Sequence, residues 1–195
     1  MTDVESAPSR LLCASDRTAL LAIARNAIAG HFSGSRVPID PEALSDALRR
    51  PAGAFVTLHI GTGLRGCIGT VLPLRPLYRT VEENALNAAF GDPRFAPLTG
   101  RELELLSIEI SVLGPVLPVE SLGSIVVGRD GLIVRQGRSA GLLLPQVATE
   151  YGWTADELLR QTCRKAGLPA EAAHRGLCSI ERFEAEVFGE DERHQ

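Results

Sequence analysis

Arg65 and Cys67 stand two positions apart in the segment Leu-Arg-Gly-Cys-Ile-Gly-Thr (64–70), whose composition reads as a β-strand. Side chains at i and i+2 of a strand share a face, roughly 6.6 Å apart. A guanidinium so placed raises the thiolate fraction of a neighbouring thiol, and the thiolate is the nucleophilic form. A cysteine hydrolase also needs a base. His59 is the candidate, as a diagonal cross-strand neighbour of Cys67 at roughly 7–8 Å. Glu109, on the polar face of a later strand, and Asp92 are placed to orient a base or to position substrate. Cys67, Arg65 and Glu109 are therefore the catalytic candidates of a cysteine-dependent activity with no nameable substrate. Against this stands the ordinary reading of each residue: a strand cysteine is a small packed side chain, and an arginine with a glutamate on a sheet face is an ion pair.

A second class of function uses the same residues without chemistry. Gly66 and Gly69 flank the thiol, and glycines in a strand interior pack nothing unless something approaches the backbone closely. In a binding module they admit a partner, while Arg94 and Phe95 of the loop Asp92–Leu98 serve as anchors, residue types common in such roles. Asn84 and Gln146 fit either reading, orienting a ligand in a groove or bonding backbone at an interface. Metal binding by Cys67 with His59 offers two ligands only, which do not make a site. Gly61-Thr62-Gly63 precedes a strand and not a helix, so no phosphate or dinucleotide fingerprint is present and no cofactor is implied.

The elements that must position these residues can be read from periodicity. Ser15 or Asp16 caps a first helix with Ala19, Leu20, Ile23, Ala24, Ala27 and Ile28 inward, and a second runs from Asp40-Pro41 to Pro51. Val56, Leu58 and Ile60 alternate into Gly61-Thr62-Gly63, and Leu64 and Ile68 resume the apolar face. A three-residue loop pairs 60 with 64, 58 with 66 and 56 with 68, keeping apolar side chains together. Phe55, Thr57 and His59 then share a face with Arg65 and Cys67. A helix over 76–90 follows, then the proline-stiffened loop, a Thr99–Glu102 capping box and a strand over 106–113. Strands at 123–128, 131–136 and 140–145, a helix opened by Thr154 and Glu157, and a last strand through Phe183, Ala185 and Val187 repeat this order loosely. The fold class is α+β with a mainly antiparallel sheet and flanking helices, built from two duplicated β/α units. One domain over 13–189 is expected, with a lobe joint near 115–122 at Pro-Val-Leu-Pro and loose tails at 1–12 and 190–195.

Bulk properties narrow the field. The 45% hydrophobic and 23% charged content of the 195 residues is that of a globular domain, and the net charge of −4 argues against a general nucleic-acid binder. Cys13, Cys67, Cys163 and Cys178 are scattered, without zinc-site spacing. No signal sequence or membrane span is read, so a cytoplasmic protein with reduced thiols is expected. Lys165 is the sole lysine, which excludes a catalytic lysine elsewhere.

Phe-Val-Thr-Leu (55–58), Leu-Arg-Gly-Cys-Ile-Gly (64–69), Asn84-Ala85, Ala88-Ala89-Phe90, Asp92-Pro93-Arg94-Phe95, Ile108-Glu-Ile-Ser-Val-Leu (108–113) and Leu143-Leu144-Pro145-Gln146 occur in order. Together they resemble the family named for a human gene in the AMME chromosomal contiguous-deletion region, whose bacterial and archaeal members are called AmmeMemoRadiSam system protein A. The resemblance runs from the first helix to Phe183-Glu-Ala-Glu-Val-Phe188. It implies a compact α+β fold with a barrel-like sheet and repeated β/α units. It also implies a Memo-like protein and a radical-SAM protein as partners. It supplies no reaction, and His59 and the 129–139 loop lie outside the shared pattern.

Overall fold

In the computed structural model, which describes residues 12–190, the chain divides into two compact units, residues 12–112 with 186–190 and residues 113–185. The sequence tails at 1–11 and 191–195 lie outside the described residues. Leu12 is buried in the first core, and Glu190 donates its backbone N–H to the carbonyl of Ile108 while its carboxylate takes Arg25.

The first unit holds the hairpin. The N-cap of α1 (Ala14–Ser33) lies two or three residues before the expected Ser15 or Asp16, because Cys13 takes it and the Cys13 N–H is accepted by the Asp16 carboxylate at 3.1 Å. Leu20, Ala24 and Ile28 form its fully buried stripe. The expected second helix is broken: a single 3-10 turn at Pro41–Ala43 gives way to α2 (Asp46–Arg49). Ser45 causes the break, its hydroxyl accepting from the Leu48 N–H as a new N-cap while donating to Asp16 at 2.6 Å.

β1 (Ala54–Ile60) and β2 (Gly63–Thr70) form the hairpin, α3 (Leu77–Phe90) follows, and β3 (Leu106–Leu113) pairs with β1 on its other side. With β8 (Ala185–Gly189) they make a four-stranded sheet of order β2-β1-β3-β8. The alternation places Val56 opposite Ile68 and Leu58 opposite Gly66, as expected. The tip differs. Ile60 pairs with Gly63 across a two-residue turn, His59 pairs with Leu64, and Arg65 is the extra residue of a bulge. Gly61, at φ +60, is the sole left-handed residue of that turn, which suits a hairpin with glycine first. The apolar sheet face carries α1 and α3; Leu77, Val81, Ala85, Ala88 and Ala89 of α3 are all buried.

The second unit repeats the scheme. β5 (Gly131–Gln136) and β6 (Ser139–Leu143) form a hairpin, α4 (Pro145–Glu150) and α5 (Ala155–Lys165) follow, and β7 (Ser179–Phe183) returns beside β5. β4 (Leu117–Pro118) completes an order of β4-β7-β5-β6. The strand expected over 123–128 is absent: this stretch turns about Asp130, whose buried carboxylate accepts the Val126 N–H at 2.8 Å and pairs with Arg129. In both units a hairpin, helical segment and returning strand occur in the same order, the return pairing with the first hairpin strand. The architecture is α+β with antiparallel sheets; both sheets are open, and neither closes into a barrel.

Candidate functional site

Two glycines set the position of Cys67 on β2, each for its own reason. A Cβ on Gly66 would stand 2.2 Å from the carbonyl oxygen of Ala88, so the absence of a side chain lets α3 lie directly on the strand. A Cβ on Gly69 would meet the Phe55 ring at 2.1 Å, so that ring lies across β2. The second unit has the counterpart of the first contact, since a Cβ on Gly141 would stand 2.4 Å from the Ala166 nitrogen beside α5. Asn84 fastens the same region from α3, donating Nδ2–H to the Ala54 carbonyl at 3.0 Å and accepting from the Thr70 hydroxyl at 3.2 Å.

Cys67 is half-buried and faces Thr57, whose hydroxyl donates to its Sγ at 3.3 Å. The backbone of Cys67 points away from β1, to the loop after α3. Its N–H is accepted by Asp92 Oδ2 at 2.9 Å, and its carbonyl accepts from Arg94 Nη2 at 3.2 Å. This makes Thr57 and Cys67 a non-hydrogen-bonded pair, the geometry that brings opposite side chains closest. Asp92 and Arg94 also bond each other, Nε to Oδ1 at 2.9 Å and Nη2 to Oδ2 at 2.6 Å, while the Arg94 backbone N–H donates to Oδ1 at 3.1 Å. One carboxylate and one guanidinium thus hold both backbone groups of a single residue.

The charges follow from these contacts. The Arg94 hydrogen bonds hold the Asp92 carboxyl well below the usual carboxylate range, helped by the N–H groups of Cys67 and Arg94 and opposed by burial. Asp92 is therefore ionised and saturated, and is no base. Arg94 is held protonated first by Asp92 and, to a lesser degree, by the field of the Cys67 sulfur. The guanidinium bonded to Cys67 is thus that of Arg94, through the Cys67 carbonyl. Arg65 turns instead to Glu102, Nε to Oε1 at 2.8 Å and Nη2 to Oε2 at 3.2 Å. This pair, with the Thr99 N–H and hydroxyl, lowers the Glu102 carboxyl to about 2. The ring of Phe95 lies near both guanidiniums, 6.0 Å from Arg65 and 5.4 Å from Arg94.

Arg65, Gly66, Cys67, Gly69, Asn84, Asp92, Arg94 and Phe95 all belong to β2, α3 and the loop that follows. Glu109 stands opposite Thr57 on β3, so it lies two strands from Cys67, roughly 10 Å at the usual strand spacing. Gln146 is on α4 in the second unit. The His59 side chain makes no hydrogen bond among the described residues, and Ser107 of β3 is its neighbour across the sheet. Thr57 and Glu102 complete the site without having been singled out as site residues. Thr57 was legible only as a face-mate of Cys67, and Glu102 only as a cap. Among the described residues no group of three His, Cys, Asp or Glu could hold a metal, and no helix is long and apolar enough to cross a membrane.

Fold and site define a protein of two open antiparallel sheets in repeated hairpin–helix–strand units, with a cysteine locked onto an edge strand by an aspartate–arginine clamp. The AMMECR1 family model matches residues 21–188, and the chain belongs to the AMMECR1 family. It is similar to a protein of Methanothermobacter thermautotrophicus, 47% identical over 178 residues that cover 88% of this chain and 93% of that one. A protein of Methanocaldococcus jannaschii is 41% identical over 191 residues, 94% of each chain. The crystal structure of an uncharacterised protein from Pyrococcus horikoshii superposes with a TM-score of 0.86 at 36% identity, covering 93% of this chain and 94% of that one.

Proposed function

We propose that this protein is a non-catalytic binding module whose recognition surface is the Arg65/Cys67 face with the Asp92–Leu98 loop. The observation that carries this reading is the saturation of Asp92, whose two oxygens accept from Cys67 N–H, Arg94 N–H, Arg94 Nε and Arg94 Nη2. A carboxylate so engaged cannot take a proton from a thiol or a water. Arg65 is neutralised by Glu102 in the same way. What remains open is a stiff surface: the Arg94 side chain is 55% exposed although its Nε and Nη2 are fixed, and the Phe95 ring is half-buried beside it. Anchors whose rotamers are already fixed lose little freedom on association.

The partners implied by the family resemblance, a Memo-like protein and a radical-SAM protein, are the ones to offer it. In titration calorimetry Phe95→Ala weakens binding roughly tenfold or more, as truncation of an aromatic anchor does, and Cys67→Ala leaves affinity nearly unchanged. Unchanged affinity for Phe95→Ala with either partner overturns the reading. The competing reading, Cys67 as nucleophile, rests on the Thr57 hydroxyl and the Arg94 cation beside the sulfur. It requires Cys67 to alkylate far faster than Cys13, the exposed thiol of the same unit; comparable rates dismiss it.

A further inference from the structure

We infer that the first unit binds a medium-chain aliphatic carboxylate in the cavity between α1 and the segment that follows it. The chain makes this cavity by turning back on α1. Gly34 ends the helix in the left-handed conformation, φ +67, and the chain reverses. A Cβ on Gly30 would stand 2.8 Å from the Ser35 carbonyl oxygen, so a residue without a side chain lets the returning backbone lie this close to the helix. Beyond that contact the segment passes beside α1 to Leu44 and encloses a cavity of about 280 Å³. Sites for drug-sized ligands span ~300–1,000 Å³, so this one suits a smaller molecule.

The walls are alkyl. Ala22, Ile23 and Ala27 come from α1, and Pro38, Ile39 and Leu44 from the returning segment. Val37, on the same wall, is 54% exposed, apolar surface that an alkyl chain would take out of water. The charge lies at Glu82 of α3, a buried carboxylate shared by two arginines. Arg36 reaches its Oε1 through Nε at 3.1 Å and Nη2 at 2.6 Å, and Arg79 reaches Oε2 through Nη1 at 2.8 Å. Two guanidiniums on one carboxylate leave an excess positive charge. Arg36 keeps its Nη1 without a hydrogen bond among the described residues, and its side chain is 70% exposed. Because Glu82 already fixes the other edge of that guanidinium, a carboxylate docking on Nη1 orders no new side chain. The remaining polar lining is engaged or neutral: Asp40 caps the 3-10 turn, accepting the Glu42 N–H at 3.0 Å, and Asn26 is an amide. An apolar cleft with one cation at its solvent edge matches an alkyl chain that ends in an anion. The cavity lies on the helical side of the first sheet, away from the face that carries Thr57 and Cys67.

The test is an NMR titration of the isotope-labelled full-length protein with octanoate below its micelle concentration. Amide signals of residues 19–27 and 36–44 are expected to shift and saturate, with a Kd of about 1 mM or tighter for so small a ligand. Octylammonium, with the same chain and the opposite charge, is expected to give no saturating shift there. Arg36→Gln weakens octanoate binding about tenfold, the loss of one charge-assisted hydrogen bond. Glu82 keeps Arg79, so this variant leaves no buried carboxylate bare. Ala22→Phe, at an exposed helix position that accommodates a ring, fills the cavity and abolishes the shifts. The inference is overturned by octanoate shifts that do not saturate at these residues, by octylammonium binding as tightly, or by unchanged affinity in either variant.

Discussion

Substituting alanine at each of the two glycines beside Cys67 separates a contact made with backbone from one made with a side chain. Gly66 has an ordinary φ, so alanine meets no conformational strain there and only space opposes it. Its Cβ would stand 2.2 Å from the Ala88 oxygen and 3.1 Å from the Ala88 carbonyl carbon, about 1.2 Å short of an ordinary contact near 3.4 Å. Both atoms are helix backbone, so α3 as a whole must withdraw. A gap of ~0.5–1 Å forfeits a quarter to a half of each dispersion contact, and α3 places six apolar side chains in this core. Overpacking costs about 1–3 kcal/mol and sometimes more. The lost flexibility of the unfolded chain returns ~0.4–1 kcal/mol. Because the obstacle is helix backbone, the net loss for Gly66→Ala lies in the upper part of that difference, about 2 kcal/mol. At Gly69 the obstacle is the Phe55 ring at 2.1 Å, a half-exposed side chain that can swing aside. Gly69→Ala therefore stays within about 1 kcal/mol of the parent. Urea unfolding followed by circular dichroism reads the contrast as a midpoint about 1 M lower for Gly66→Ala. Equal midpoints for the two variants would refute the assignment of Gly66 to helix contact.

Two further outcomes are expected. Asp92→Ala frees the outward N–H of Cys67, so hydrogen exchange at that amide accelerates to the rate of an open strand; stability falls by about 2 kcal/mol, less than the ~3–5 kcal/mol of a fully buried pair, because the exposed Arg94 regains water. Glu102 sits at about 2 folded against 4.5 free, and Asp92 is likewise lowered from 3.8. Groups depressed by folding stabilise above their unfolded values, so the thermal midpoint is flat above about pH 5 and drops as pH falls through 4.5 toward 2. Glu102→Gln lowers the neutral-pH midpoint and removes part of that slope; an acid profile identical to the parent's contradicts the Arg65–Glu102 pair.

Alternation made the inner hairpin register legible, because Val56, Leu58 and Ile68 can share a face in only one pairing. The tip was not legible, since a bulge at Arg65 lets a two-residue turn satisfy the same inner register. That single extra residue redirects Arg65. Its partner Glu102 lies 37 positions away and already had a local role beside Thr99, so nothing in the chain's spacing announced the pair. Asp92 and Arg94 were recognisable as a motif, but their attachment to the Cys67 backbone depends on how α3 returns the chain to β2. Ser45 hid its cap inside a helical-looking run for a similar reason: Asp16, its acceptor, lies 29 positions away in the chain.

The clamp on Cys67 has one more consequence, for self-association. β2 is a terminal strand of its sheet, and such a strand offers a row of outward amide and carbonyl groups on which another extended chain can build. By holding both outward groups of one residue near the middle of that row, Asp92 and Arg94 break it into pieces too short to template a second copy. A bulge at Arg65 twists the remainder away from flatness. The same four-residue turn that presents Arg94 and Phe95 thus also guards the protein against fibrous aggregation.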